Sequence, residues 1–563
     1  MFWKSLCSAA LAALCLSGCG GSSENFVITG GPSTQGVAAS DSYRSLGNVS
    51  LSVTADRGLL ANDSDGSVVL AETLTTAFGG TVVIESDGSF RYTPPPRAAG
   101  ATTDSFSYRL SSGAVGQVNL NLPAYLIFVD VAAAPNGDGS EAKPFQTIPP
   151  AIDDSQNGDI IYLVYNQTTP HLFSGTLPAG IALRGQGTPV SEGDLALLSI
   201  AHSRLRGKVT LFGGNLVSGL QLENPGDEGL LASGVDNLTI SDNIFSLLDI
   251  GIDMGDVDEL EIVRNQFLGT DDDPEAAVNL TFSESGDHNV RFENNTFATD
   301  SPNQFNDVLT AALSDEAGMT LAARDNTTLA DGGHYAVSMS GSTQLSADIE
   351  GNRMDGGQQG VQLQAGAANT DGTHSTITVS DNTIVSTDSG VDMRAQGTTG
   401  TVHSWTVTEN TISGAGTNGI YLQRFAGCRL NADIASNIIS GAGSAAISVA
   451  SNPDEGPDPA IQAGEDHLSI TQNNLAGNAV GILLNLFSQV GSTRVANTDT
   501  NGSFQFTLDS LTSHLQLQNN DVAGTISVMV DAPFTLIVDD SDQTAPTPTY
   551  SGGGTVSDGP FVP

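Results

Sequence analysis

The sequence predicts an all-β chain in which a small sandwich precedes a long solenoid of stacked parallel coils, and three observations carry that expectation. With 64 glycines, 6% aromatic and 15% charged residues, the composition suits a turn-rich β chain better than a helical one. From residue 240 onward a strand-like run ending in asparagine recurs at Asn243, Asn265, Asn295, Asn326, Asn352, Asn382, Asn410, Asn437, Asn473 and Asn520. Before residue 124, short alternating runs are punctuated by Gly, Asp, Asn and Pro turns, as in sandwiches.

The first segment is not part of either unit. Residues 1–18 carry Lys4 and an apolar run from Leu6 to Leu16 that is too short for a permanent membrane helix, the pattern of a signal peptide. It ends in Leu16-Ser17-Gly18-Cys19, which resembles the bacterial lipobox. The resemblance implies cleavage before Cys19 and lipidation of its thiol. Residues 19–35, beginning Gly20-Gly21-Ser22-Ser23, then read as a flexible lipidated tether. Gly20 in place of an aspartate favours the outer membrane, with the chain on its periplasmic or extracellular face. Cys7 and Cys15 leave with the leader, so the lone mature thiol is Cys428, expected as a small core residue.

Residues 36–123 carry the sandwich. In Asp87-Gly88-Ser89-Phe90-Arg91-Tyr92 the Asp-Gly pair supplies a tight turn, and Phe90 and Tyr92 alternate onto one face of the next strand. Phe106 and Tyr108 repeat the pattern. With Leu59-Leu60-Ala61-Asn62-Asp63-Ser64-Asp65-Gly66, these runs resemble cadherin-like or VCBS-type Ig-like domains, which act as spacers or adhesive modules. Asp63 and Asp65 read more simply as turn formers than as calcium ligands.

The solenoid is expected over residues 124–540. Its opening, Ile127-Phe128-Val129-Asp130, Asn136-Gly137-Asp138-Gly139-Ser140, Pro144-Phe145-Gln146-Thr147-Ile148 and Gly158-Asp159-Ile160-Ile161, resembles pectin-lyase-like right-handed parallel β-helices. The resemblance implies a short helix capping the open end. The ten asparagines are separated by 22, 30, 31, 26, 30, 28, 27, 36 and 47 residues, a coil period stretched by loops. Each asparagine is expected at a corner, its inward amide bonded to the coil above, as a structural ladder. A second strand of the form Gly-apolar-x-apolar follows, as in Gly360-Val361-Gln362-Leu363 and Gly390-Val391-Asp392-Met393. Residues 541–563, rich in Pro, Gly, Ser and Thr, read as a flexible tail.

Alternation in the second strand assigns an outward column Asp253, Asn279, Ser338, Gln362, Asp392, Tyr421, Ser448 and Leu483, with one irregular coil between Asn279 and Ser338. Two residues further lie Gln364, Arg394 and Gln423. Gln362, Gln364, Asp392, Arg394, Tyr421 and Gln423 therefore form a candidate sugar-binding patch, in which amides and a charge pair meet hydroxyls and the ring packs on a sugar face. Asp392, Arg394 and Tyr421 are the candidates for catalysis. An ordinary solvated sheet face with a surface ion pair explains the same residues.

Function divides accordingly. The net charge of −44, from 63 acidic and 19 basic residues, repels phosphate backbones and argues against nucleic acid as a partner. The leading expectation is a lipid-anchored surface protein that binds polysaccharide or a cell-surface partner. The alternative is a polysaccharide lyase or glycoside hydrolase acting on an acidic polysaccharide. Hydrolysis usually needs two carboxyl groups, and this column sets none beside Asp392. The paired-Asp and Gly-His-Gly signatures of polygalacturonases and the Asp-Pro-His-Asp signature of alginate epimerases are missing. Ca2+ is the one cofactor considered, with Asp271, Asp272, Asp273 and Glu275 as its acidic loop, although an exposed charged turn explains them too. His288, His334 and His403 show no ligand spacing and read as structural.

Overall fold

A computed structural model describes residues 36–562, apart from 65, 96–101, 226, 269–274, 298–304, 366–371, 399, 452–463, 499–501, 519, 532–533 and 544–545. The expected leader, Cys19, the expected tether, Asp65 and Asp271 to Asp273 fall outside the described residues.

The sandwich packs a three-stranded sheet, Asp41–Arg44, Val115–Asn121 and Thr103–Arg109, on a four-stranded one, Leu51–Val53, Phe90–Thr93, Thr81–Ile84 and Glu72–Thr75. Alternation delivers Phe90, Tyr92, Phe106 and Tyr108 to its core as expected. Phe90 meets Tyr43 and Phe106 edge-on, with ring centroids 4.9 and 5.6 Å away. Asp104 is buried, and its carboxylate accepts from Thr76 Oγ1, Tyr92 Oη and the Phe78 amide. Asp63 accepts from the Ala39 amide and Tyr108 Oη, so its carboxylate closes the fold.

The sandwich docks directly on the solenoid. Leu46 and Val49 share an apolar cluster with Leu126, Phe128 and Tyr162, and with Val190 and Leu195 of a protruding hairpin. Ion pairs Arg44–Glu192 and Arg57–Asp194 flank that hairpin.

The solenoid begins with Leu126–Val129 paired in parallel with Ile160–Leu163. Between them the helix Ile148–Asp154, with proline in its first turn, turns Ile148 and Ala151 into the core and covers that end of the cylinder. Each later coil contributes to three stacks. The first stack holds the strand before each ladder asparagine, such as Gln344–Glu350 and His374–Ser380. The second holds the short strand after it, such as Arg353–Gly356 and Thr383–Val385. The third holds the Gly-apolar strand, such as Gln359–Ala365 and Ser389–Gly397. Every stacked pair is parallel and joins residues one coil apart, which makes this a parallel β-helix.

Side chains pile up by type inside. Phe245, Phe267 and Phe297 stack with successive centroids 4.8 Å apart, the spacing of the coils themselves. The glycine that opens the third-stack strands is a packing requirement: a Cβ on Gly390 would lie 2.5 Å from Ile412 Cγ2 and 2.7 Å from the Gly419 carbonyl.

The corner asparagines form one continuous ladder. Asn326 shows the unit: its Nδ2 donates to the Phe292 carbonyl at 2.8 Å and to Asn352 Oδ1 at 2.9 Å, while its Oδ1 accepts from the Asn295 amide at 2.8 Å. The residue before a ladder asparagine is left-handed in most coils, as at Asp242, Arg264, Asn294, Asp325, Asp381, Glu409, Ser436 and Gln472, with Gly351 before Asn352. That conformation turns the chain and aims the next side chain inward. Two rungs go beyond the sequence expectation. The 47-residue gap between Asn473 and Asn520 holds two coils, because Asn473 binds Asn497 and Asn497 binds Asn520. Gln543 then supplies Oε1 to the Asn520 amide at 2.7 Å, as a longer isostere at the end of the row.

The C-terminal expectation is corrected. Thr549–Ser551 and Thr555–Asp558 are strands of a further coil, paired in parallel with Ile526–Met529 and Thr535–Asp542, and not a loose tail from residue 541.

Candidate functional site

The third stack displays the patch as one surface. Register pairs Gln362 with Asp392 and Asp392 with Tyr421, and in the neighbouring column Gln364 with Arg394 and Arg394 with Gln423. The alternation of inward Val361, Leu363, Val391, Met393, Ile420 and Leu422 produces this placement, since these six fill the core. The outward column needs one correction. Asn279 pairs with Thr310, Thr310 with Ala336 and Ala336 with Gln362, whereas Ser338 stands in the Gln364–Arg394 column. Ser448 and Leu483 continue beyond Tyr421 as expected.

Within the patch the charges are closed on each other. Arg394 Nε and Nη2 donate to the two oxygens of Asp392 at 3.0 and 2.9 Å, a bidentate pair along one strand. Asp392 keeps 5% of its side-chain surface and Arg394 45%, so the carboxylate lies beneath the guanidinium. That hydrogen bond raises the guanidinium's hold on its proton, with burial opposing it. Arg394 also lies over the Tyr421 ring, 5.8 Å from its centroid. Gln423 and Ser448 are buried in the same columns, while Gln364 is exposed.

Asp388, which alternation does not reach because it sits in the turn before the strand, stands beside the patch and contributes to the field at Arg394. Its carboxylate accepts from Gln359 Nε2 at 3.2 Å and Thr417 Oγ1 at 2.7 Å. Both acids of this region are thus engaged by their own neighbours. Further along the same wall Asp253 accepts from Asn279 Nδ2 at 2.8 Å, and Asn279 from Thr310 Oγ1 at 2.9 Å. Asp253 and Asp256 line a recess of about 400 Å³. Asp256 is held by the amides of Ser283 and Glu284, whose bonds outweigh burial and keep it ionised below the usual carboxylate range.

The other expected residues have structural surroundings. His288 stacks on Phe282, His334 Nδ1 lies 2.7 Å from Thr328 Oγ1, and His403 Nδ1 lies 2.8 Å from Ser375 Oγ. All three are buried. Burial pushes the Cys428 thiol up to about 12, which leaves it protonated and inert at neutral pH. Of the acidic loop only Glu275 is described, and its carbonyl accepts the Asp307 amide. Among the described residues no three His, Cys, Asp or Glu side chains gather as a metal site.

Comparison with solved structures finds the pectate lyase Pel9A, at 9% identity over 64% of this chain and 78% of that one, with a TM-score of 0.28. It also finds a family 28 exopolygalacturonase of Yersinia enterocolitica, at 12% identity over 89% of each chain, with a TM-score of 0.29. No curated protein matches the sequence. Residues 33–122 match the family model of the bacterial Ig domain. The chain is a bacterial Ig-like domain followed by a parallel β-helix.

Proposed function

We propose that this protein binds polysaccharide through the third-stack wall of its β-helix, held off the cell envelope by the Ig-like domain and anchored through Cys19 in the outer membrane. The observation that carries the reading is the surface of Gln362, Gln364, Arg394 and Tyr421, set over the buried Asp392 and Gln423, whose amides, half-exposed guanidinium and ring lie in register over three coils. Binding suits it better than turnover because Arg394 occupies both oxygens of Asp392, and Gln359 and Thr417 occupy Asp388. A general base or acid needs an oxygen free to meet the substrate.

A glycan array tests this together with an absorbance assay. Retention of a polysaccharide by the wild type, lost in Tyr421→Ala and Gln364→Ala, is the expected outcome, with no enoyl absorbance on incubation with acidic polysaccharides. Enoyl product that vanishes in Asp392→Ala would turn the reading to a lyase. No retention of any glycan would end it.

A further inference from the structure

A second wall of the β-helix carries a groove that neither the patch nor its chemistry includes. It lies on the outward face of the first stack, has a volume of about 460 Å³, and is lined among others by Asn431, Asp433, His467, Arg494 and Phe561. That size is within the roughly 300–1,000 Å³ typical of small-ligand sites. Register stacks Asn431, His467 and Ser492 in one column and Asp433, Ser469 and Arg494 in the next. Polar side chains therefore repeat at the coil spacing along two parallel rows.

Arg494 singles this groove out. Most described arginines of the β-helix are neutralised by carboxylates of their own or adjacent coils, as Arg264 is by Asp242, Arg291 by Glu261 and Glu293, Arg324 by Asp348 and Arg394 by Asp392, while Arg184 is half-buried and spent on Ser218 Oγ, Thr188 Oγ1 and the Pro189 carbonyl. Arg494 instead donates to a neutral amide, Gln518 Oε1, at 2.8 Å. Glu465 stands 3.5 Å from both Arg429 and His467 and so balances the far end of the groove. The result is polarity. Arg494 presents an exposed guanidinium at one end, the half-buried ring of Phe561 lines the same groove, and two coils from Arg494, about 10 Å along the axis, Asp433 and Asn431 offer an acceptor and an amide.

We propose that this groove binds an acidic saccharide, with a sugar carboxylate paired to Arg494, the sugar ring on Phe561, and the hydroxyls of the next residue on Asp433 and Asn431. Arg–carboxylate pairing is bidentate and charge-assisted, and an aromatic ring in the same groove takes the apolar face of the sugar. The site is separate from the third-stack patch and does not depend on it.

The chain supplies its own reporter. Trp405 lies beneath this groove with its ring buried in the core and its indole Nε1 bonded inward to Ser375 Oγ at 2.9 Å, and the only other tryptophan is Trp3 in the leader. Titration of the leaderless chain with trigalacturonate should change Trp405 emission saturably. The fully methyl-esterified trisaccharide, and Arg494→Gln or Phe561→Ala with the acid form, should each bind at least about tenfold more weakly, as loss of a charged hydrogen bond or a ring contact implies. Equal affinity for both sugars, an unchanged curve in Arg494→Gln, or displacement by an equal concentration of inorganic phosphate would overturn the proposal. Retention on an array lost in Tyr421→Ala reads the other wall, so failure of either site is recognised separately.

Discussion

At the scale of single residues the ladder asparagines bear the largest consequences, because each amide serves three coils at once. Asn352 Oδ1 accepts from the Asn326 amide, Asn326 Nδ2 and Tyr335 Oη, while its Nδ2 donates to the Ala323 and Glu350 carbonyls and to Asn382 Oδ1. Asn352→Ala would strand buried donors on one side and acceptors on the other, at roughly 1–3 kcal/mol for each group left unpaired. We expect a loss of about 3 kcal/mol or more, read as a lower urea midpoint of Trp405 emission, while the exposed Arg353→Ala stays within about 0.5 kcal/mol. Equal midpoints for the two variants would show that the ladder adds nothing to stability. The ladder was legible in the sequence because repetition averages away chance. Asn497 was not legible: its residue lies within the continuous strand Val480–Thr498, and no left-handed residue precedes it to punctuate the turn.

At the scale of elements the strands are legible wherever inward and outward positions alternate without interruption, and illegible where one residue breaks the pattern. Gly333–Met339 places His334 where the next coil has Gly360, so the Gly-apolar signal fails and alternation assigns Ser338 to the position that Ala336 holds. The last coil failed for a different reason. Pro546, Pro548 and the glycines at 552–554 have the composition of a tail, yet a terminal coil pairs on one side only and tolerates them. In a solenoid each coil is stabilised by its neighbours. Removing residues 546–563 should therefore speed amide exchange in Ile526–Met529 and Thr535–Asp542 and leave Gln344–Glu350 and His374–Ser380 protected. A flexible tail would leave every peptide unchanged. The candidate patch was legible because its three coils are regular, whereas Asp388 escaped notice by lying in a turn that alternation does not describe.

At the scale of the whole molecule the two units should respond to acid with opposite sign. In the β-helix, burial pushes His334 down to about 4 from an ordinary 6.5, and burial with the neighbouring His374 pushes His403 down to about 4. A histidine held neutral binds fewer protons folded than unfolded, so its contribution is complete above 6.5 and is lost as pH falls from there towards 4. The linked loss is on the order of 3 kcal/mol for each imidazole. In the Ig-like domain, burial together with the Asp63 carboxylate pushes Asp41 up to about 6 from 3.8. That carboxyl binds more protons folded than unfolded, so the sandwich gains stability as pH falls through 6 towards 3.8. Asp307 and Asp509, raised by burial, oppose the histidines within the β-helix, so variants are needed to isolate each term. Urea-dependent hydrogen exchange resolved by peptide, at pH 7 and about pH 5, follows both units in one sample. His403→Gln should flatten the acid loss in the β-helix peptides alone, and Asp41→Asn should flatten the acid gain in the sandwich peptides alone. If both units lost stability together, and neither variant changed its own slope, the environments assigned to these buried groups would be wrong.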